Sequence, residues 1–181
     1  MAASETRHRI SADDERLGAW RAFLEAHARV SRRLDDELRA SHGLSLAEYD
    51  ALLQLATAPG RRLRMNQLAD RVVLSRSGVT RLIDRLVADG LVERSACSTD
   101  ARGAEAVLTR DGLDRLRDAA PTHLQGINRY FLESVQPADL EVIGRSLGAV
   151  ARGVTSYPPT EGEAAPAWSD ATAASPEARR D

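Results

Sequence analysis

The spacing of apolar residues changes period at Gly90, and that change restricts what the chain can fold into. Before it, Val79, Leu82, Ile83 and Leu86 recur at steps of three and one, the spacing of a single helix face. After it, Leu91-Val92-Glu93-Arg94-Ser95 and Ala104 to Leu108 read as two strands. The polar, glycine-containing connection from Cys97 to Gly103 makes them a hairpin with a long tip. A shorter helix over 66–72 precedes the helix over 76–89, with Val73-Leu74-Ser75 as the turn between them. Gly90 sits where a helix C-terminal glycine belongs. Two helices meeting at a tight turn and followed by a hairpin form a winged helix-turn-helix. With only 4% aromatic residues, a β-sandwich or barrel core is disfavoured.

Longer helices flank this unit. From Asp13 to Ala40, Leu17, Trp20, Leu24, His27, Ser31, Leu34 and Leu38 form a narrow stripe, predicting a helix that ends at Gly43. Such a helix would be about 40 Å long, a length suited to reaching a partner. Ser45 followed by Glu48 is a capping-box pattern opening a second helix, with Tyr49, Leu52, Leu53 and Ala56 facing inward and Pro59-Gly60 ending it. Thr109 caps a helix running to Phe131, with a kink expected at Pro121. A last helix starts at Pro137 and places Leu140, Ile143, Leu147, Val150 and Val154 on one face. The expected fold is mainly α with a small β hairpin, a winged helix-turn-helix flanked by long dimerisation helices. Residues 45–108 are expected to form the winged helix-turn-helix domain, and residues 13–44 and 109–156 the helical dimerisation region. Residues 1–12 and the Pro-, Ala- and Ser-rich stretch 157–181 are expected to be disordered.

Net charge over all 181 residues is −2, and every basic residue is an arginine. The balance is uneven along the chain. Residues 61–102 hold nine arginines and five acids, net +4, between segments of net −2 and −4. A basic middle between acidic ends points to a polyanion site confined to the helix-turn-helix and hairpin. On the 76–89 helix, Arg76, Ser77, Thr80, Arg81, Asp84 and Arg85 fall outside the apolar face. Arginines suit guanine edges and phosphates, and short hydroxyls suit close backbone approach in a major groove. Arg61, Arg62, Arg64, Gln67 and Arg94 are further candidates for phosphate contacts, with solvated or structural roles as the alternative.

Leu68-Ala69-Asp70-Arg71, Leu74-Ser75-Arg76-Ser77, Val79 to Leu86, Asp89-Gly90-Leu91-Val92-Glu93-Arg94, Asp100-Ala101-Arg102-Gly103 and Leu108-Thr109 together resemble the MarR-type (multiple antibiotic resistance regulator) transcriptional regulators. The resemblance implies a homodimer on a pseudo-palindromic operator in double-stranded DNA. It places the recognition helix in the major groove and the wing in the minor groove. Arg102 becomes the wing arginine and Asp100 the acid that steadies it. The resemblance also implies a small aromatic or phenolic effector in the cleft between dimer helices and winged helix. Trp20, Phe23, His27 and Tyr49 are the candidates to line that cleft, with core or interface packing as the alternative.

Other chemistry finds little support. His8, His27, His42 and His123 share no metal-ligand spacing, no catalytic motif appears, and neither metal nor cofactor is expected. No apolar run reaches the roughly 20 residues of a membrane span. Residues 1–11 lack the apolar core of a signal peptide, and the cytoplasm is the expected compartment. The lone Cys97, at the hairpin, leaves a redox-sensing regulator as an alternative. A helical protein-interaction module that does not bind DNA is a second, which the arginine concentration argues against. The expectation is a DNA-binding transcriptional repressor without enzymatic activity.

Overall fold

The computed structural model describes residue 11 and residues 14–72, 76–96 and 104–154. Its elements are α1 (Leu17–His42), α2 (Leu46–Thr57), β1 (Arg62–Arg64), α3 (Met65–Arg71), α4 (Arg76–Ala88), β2 (Val92–Ala96), β3 (Ala104–Leu108), α5 (Arg110–Tyr130) and α6 (Pro137–Val154). Single 3₁₀ turns at Pro59–Arg61 and Leu132–Ser134 join α2 to β1 and α5 to α6. The N-terminal tail, the 157–181 tail, the turn Val73–Ser75 and the hairpin tip lie outside the described residues.

Local chemistry sets the helix boundaries. Gly43 adopts φ 65° and returns its N–H to the Arg39 carbonyl, closing α1. The capping box of α2 is formed in full: Ser45 Oγ accepts from the Glu48 N–H at 3.2 Å, and Glu48 Oε2 accepts from the Ser45 N–H at 2.9 Å. At the end of α4, Leu91 N–H bonds to the Leu86 carbonyl and Gly90 N–H to the Val87 carbonyl, with Gly90 at φ 73°. This paired bonding needs the left-handed residue that glycine supplies most readily. Thr109 then ties α5 to that turn, donating its hydroxyl to the Gly90 carbonyl at 2.8 Å and accepting from the Gly112 N–H at 2.9 Å.

The core lies inside the winged helix. Leu52 and Leu55 of α2, Leu68 of α3, and Leu82, Ile83 and Leu86 of α4 are fully buried against one another and the sheet. Each such side chain contributes about 1.5–3 kcal/mol by leaving water. Helix α1 joins this core at Leu38 and packs along α5, where Leu34 lies against Gly126. Glu37 of α1 accepts from Arg129 at 3.1 Å and from the Tyr130 hydroxyl at 2.5 Å, fastening the far end of that contact.

Two expectations require correction. The sheet has three strands in the order β1-β3-β2, not two, because Arg62-Leu63-Arg64 pairs antiparallel with Glu105-Ala106-Val107. Three residues with a single inward side chain, Leu63, are too short to show a period of two. Helix α1 begins at Leu17, four residues later than expected from Asp13.

Candidate nucleic-acid interface

The recognition-helix candidate, α4, divides as its spacing predicts. Val79, Leu82, Ile83 and Leu86 are buried, while Ser77, Thr80, Arg81, Asp84 and Arg85 are exposed. Helix α3 packs against α4 through Leu68, holding the buried face and leaving the polar face outward. Arg81 reaches back along its own helix, its Nε 3.4 Å from the Ser77 carbonyl. The backbone of Arg76 opens the helix. Asp100 and Arg102, with Cys97, fall outside the described residues.

Neighbouring elements hold α4 on two sides. Arg85 donates from Nε to Glu48 Oε1 on α2 at 2.9 Å, and from Nη1 to the Arg81 carbonyl at 3.3 Å. Arg94 of β2 pairs with Asp84 at 2.7 Å and lies 3.5 Å from the Thr80 carbonyl. Arg94 therefore has a structural partner, which strand periodicity alone gave no means of naming. Glu48 is only 8% exposed. Burial raises its pKa, but bonds from the Ser45 backbone, Arg85 and the Ser45 hydroxyl outweigh that cost and hold it below the ordinary glutamate value.

Of the arginines before α3, Arg62 and Arg64 lie on the edge strand of the sheet. Gly60 and Arg61 take consecutive positive φ values of 62° and 54°, turning the chain into β1. Arg62 stands 3.7 Å from Glu105 on the neighbouring strand. Gln67 uses its side-chain oxygen to accept from the Arg64 N–H at 3.1 Å.

The four effector candidates separate into two places. Trp20, Phe23 and His27 form a ladder on α1, with ring centroids 5.8 and 6.1 Å apart, and Trp20 is 54% exposed. Tyr49 is buried in the core instead, its ring 4.3 Å from that of His123 on α5. Burial, with Asp50 beside it, raises the Tyr49 pKa. An open groove of about 390 Å³ lies along α5, lined by Leu124, Gln125, Asn128, Arg129 and Glu133, and includes none of the four. Sequence reasoning did not single out His123, because only the fold brings it to Tyr49.

A three-stranded wing, an α3–α4 pair and an outward polar face on α4 define a winged-helix DNA-binding protein. Residues 42–103 match the model of the MarR family. A MarR family regulator from Streptomyces coelicolor, Sco3205, solved in complex with DNA, is 33% identical with a TM-score of 0.74, covering 81% of this chain and 91% of that one. AbsC from the same organism, also a MarR family regulator, is 34% identical with a TM-score of 0.72, covering 81% and 97%. The HTH-type transcriptional repressor YetL of Bacillus subtilis is 30% identical over 109 residues, spanning 60% of this chain and 65% of its own length. The chain belongs to the MarR family of DNA-binding transcriptional regulators. Among the described residues, no helix is long and apolar enough to cross a membrane.

Proposed function

We propose that the protein is a cytoplasmic homodimeric repressor that reads a pseudo-palindromic operator and is released by a small aromatic or phenolic ligand. The observation that carries the DNA reading is the division of α4, with its apolar face buried and Ser77, Thr80 and Arg81 outward. A helix so presented enters a major groove, where Arg76 and Arg81 meet guanine edges or phosphates and Ser77 and Thr80 meet base edges. Arg102 takes the minor groove and Asp100 steadies it. The name of YetL as a repressor supports repression over activation.

Dimerisation is supported by apolar surface that one chain leaves uncovered. Trp20, Phe23 and Leu24 on α1, and Leu147 and Val150 on α6, are exposed, Val150 at 60%. Exposed apolar residues grouped along two helices in this way mark interaction surfaces. Sedimentation at micromolar concentration is expected to give twice the chain mass, and a stable monomer would overturn this assignment. The ladder of Trp20, Phe23 and His27 would then face the second copy and form one wall of an effector cleft with it. Selection of bound sequences from a random DNA pool at defined salt tests the DNA reading. Two inverted half-sites roughly 10 bp apart between centres are expected. A pool that stays random would refute it.

A further inference from the structure

The N-terminus of α2 is a junction between the α1 arm and α4. Asp35 of α1 accepts from the Leu46 N–H at 2.8 Å through Oδ1, and from Arg39 Nε at 2.7 Å through Oδ2. Within one turn of that contact, Glu48 divides its two oxygens between Ser45 N–H and the Nε of Arg85. Arg85 in turn bonds the Arg81 carbonyl one turn back along α4. Two sets of charge-assisted bonds thus meet at the N-terminus of α2, one from α1 onto Leu46 and one from Glu48 to α4.

The two members of the ion pair differ in exposure. The Arg85 side chain is 57% exposed and could swing toward a phosphate. Glu48 cannot follow, because it is fixed in the capping box of a buried helix end. Moving Arg85 onto DNA would leave that carboxylate buried without its cation, and an uncompensated buried charge is strongly destabilising. The pair also cancels the charge that Arg85 would otherwise present to a polyanion. Both considerations keep Arg85 on Glu48 in the bound state.

We propose that Glu48 and Arg85 are positioning residues for operator recognition. Their bond fixes the rotation of α4 against α2, and so aims Ser77, Thr80 and Arg81, without either residue touching DNA. This rests on the DNA reading given under Proposed function. Base readout depends on bidentate geometry, whereas phosphate contact tolerates displacement. Loss of the pair should therefore weaken specific binding and spare non-specific binding.

The test is full-length protein, wild type and variants, titrated onto its selected operator and onto random duplex over a range of salt. Glu48→Gln, Arg85→Gln and Arg85→Lys should each weaken the operator by about tenfold, the size of one charge-assisted hydrogen bond. Random duplex should be bound as before by Arg85→Lys, which keeps the charge, and no more weakly by Glu48→Gln, which leaves Arg85 as an added cation, while on the operator Glu48→Gln/Arg85→Gln should be no worse than either single change. Arg85→Lys is the sharpest arm, since lysine keeps the charge a phosphate would want and loses the Nε bond that Glu48 needs. If Arg85 instead touches a phosphate, Arg85→Lys will bind like wild type. In that case Arg85→Gln will flatten the salt slope by roughly 0.9 for each phosphate no longer neutralised, and Glu48→Gln will bind all DNA as well or better. That pattern, or no effect of any variant on the operator, overturns the proposal. Ser45→Ala removes the hydroxyl cap and not the ion pair, so it should lower the melting temperature while retaining operator preference. Loss of preference in Ser45→Ala would assign the effect to helix stability and overturn positioning. Should Glu48→Gln fail to fold, the exposed Arg85 substitutions decide alone. Failure of the underlying DNA reading is seen separately, as a wild-type protein that prefers no sequence.

Discussion

Arg94, in the middle of β2, sets its Nη2 2.7 Å from Oδ1 of Asp84 on α4, joining the wing to the recognition helix. Both side chains are substantially exposed, so the pair adds well under about 1 kcal/mol to stability. Its larger consequence is electrostatic. Asp84 is the acid on the outward face of α4, and Arg94 neutralises it.

Arg94→Ala should therefore leave the unfolding midpoint nearly unchanged while weakening operator and random DNA alike. Asp84→Ala should do the reverse, strengthening binding to any duplex by leaving Arg94 as an added cation. Fluorescence titrations at two salt concentrations check both, and effects of the same sign would contradict this assignment.

A different kind of constraint operates at Gly112, the third residue of α5. A Cβ there would collide with the Leu91 backbone carbonyl and stand 2.8 Å from Leu108 Cδ1. The same hypothetical atom at Gly126 would meet the Leu34 side chain at 2.5 Å, which can rotate away. Gly112→Ala should cost about 2 kcal/mol or more in urea unfolding. Gly126→Ala should cost less, because its neighbour is the end of a side chain and not a backbone carbonyl.

The contrast between these sites and α4 shows what was legible in the sequence. Recognition-helix residues announce themselves because a buried face and a polar face must alternate with the helical period, and Val79, Leu82, Ile83 and Leu86 did so. The capping box at Ser45 and Glu48 was equally visible, being a local exchange over three residues. The second oxygen of Glu48 was not, because its partner Arg85 lies 37 residues away and only packing brings them together. The strand Arg62–Arg64 escaped for want of length, and the contact of Tyr49 with His123 for want of any local pattern. Asp100 and Arg102 rest on the family signature alone.

His123 offers a test of the α2–α5 contact. Its Nδ1 is buried and has no hydrogen-bond partner among the described residues, and burial holds its pKa below the ordinary 6.5. The unfolded chain therefore takes up a proton that the folded chain refuses, so stability rises with pH between the lowered folded value and 6.5. Unfolding should become easier as pH falls from about 7 toward about 5. His123→Phe keeps a ring against Tyr49 and removes the orphaned nitrogen. It should raise stability by about 1 kcal/mol at neutral pH and flatten that part of the pH profile. An equally steep profile in the variant would assign the dependence to other groups.

The central claim is that the outward face of α4 reads sequence. It is tested most directly by the ratio of operator to random-duplex affinity in wild type, Thr80→Ala and Arg81→Ala at one fixed salt concentration. One specific side-chain-to-base pairing is worth about 1–3 kcal/mol of discrimination, so each variant should lower that ratio by roughly tenfold or more while remaining folded. If both affinities fall by the same factor and the ratio is unchanged, these residues touch only phosphates, and the assignment of α4 as the sequence reader is wrong.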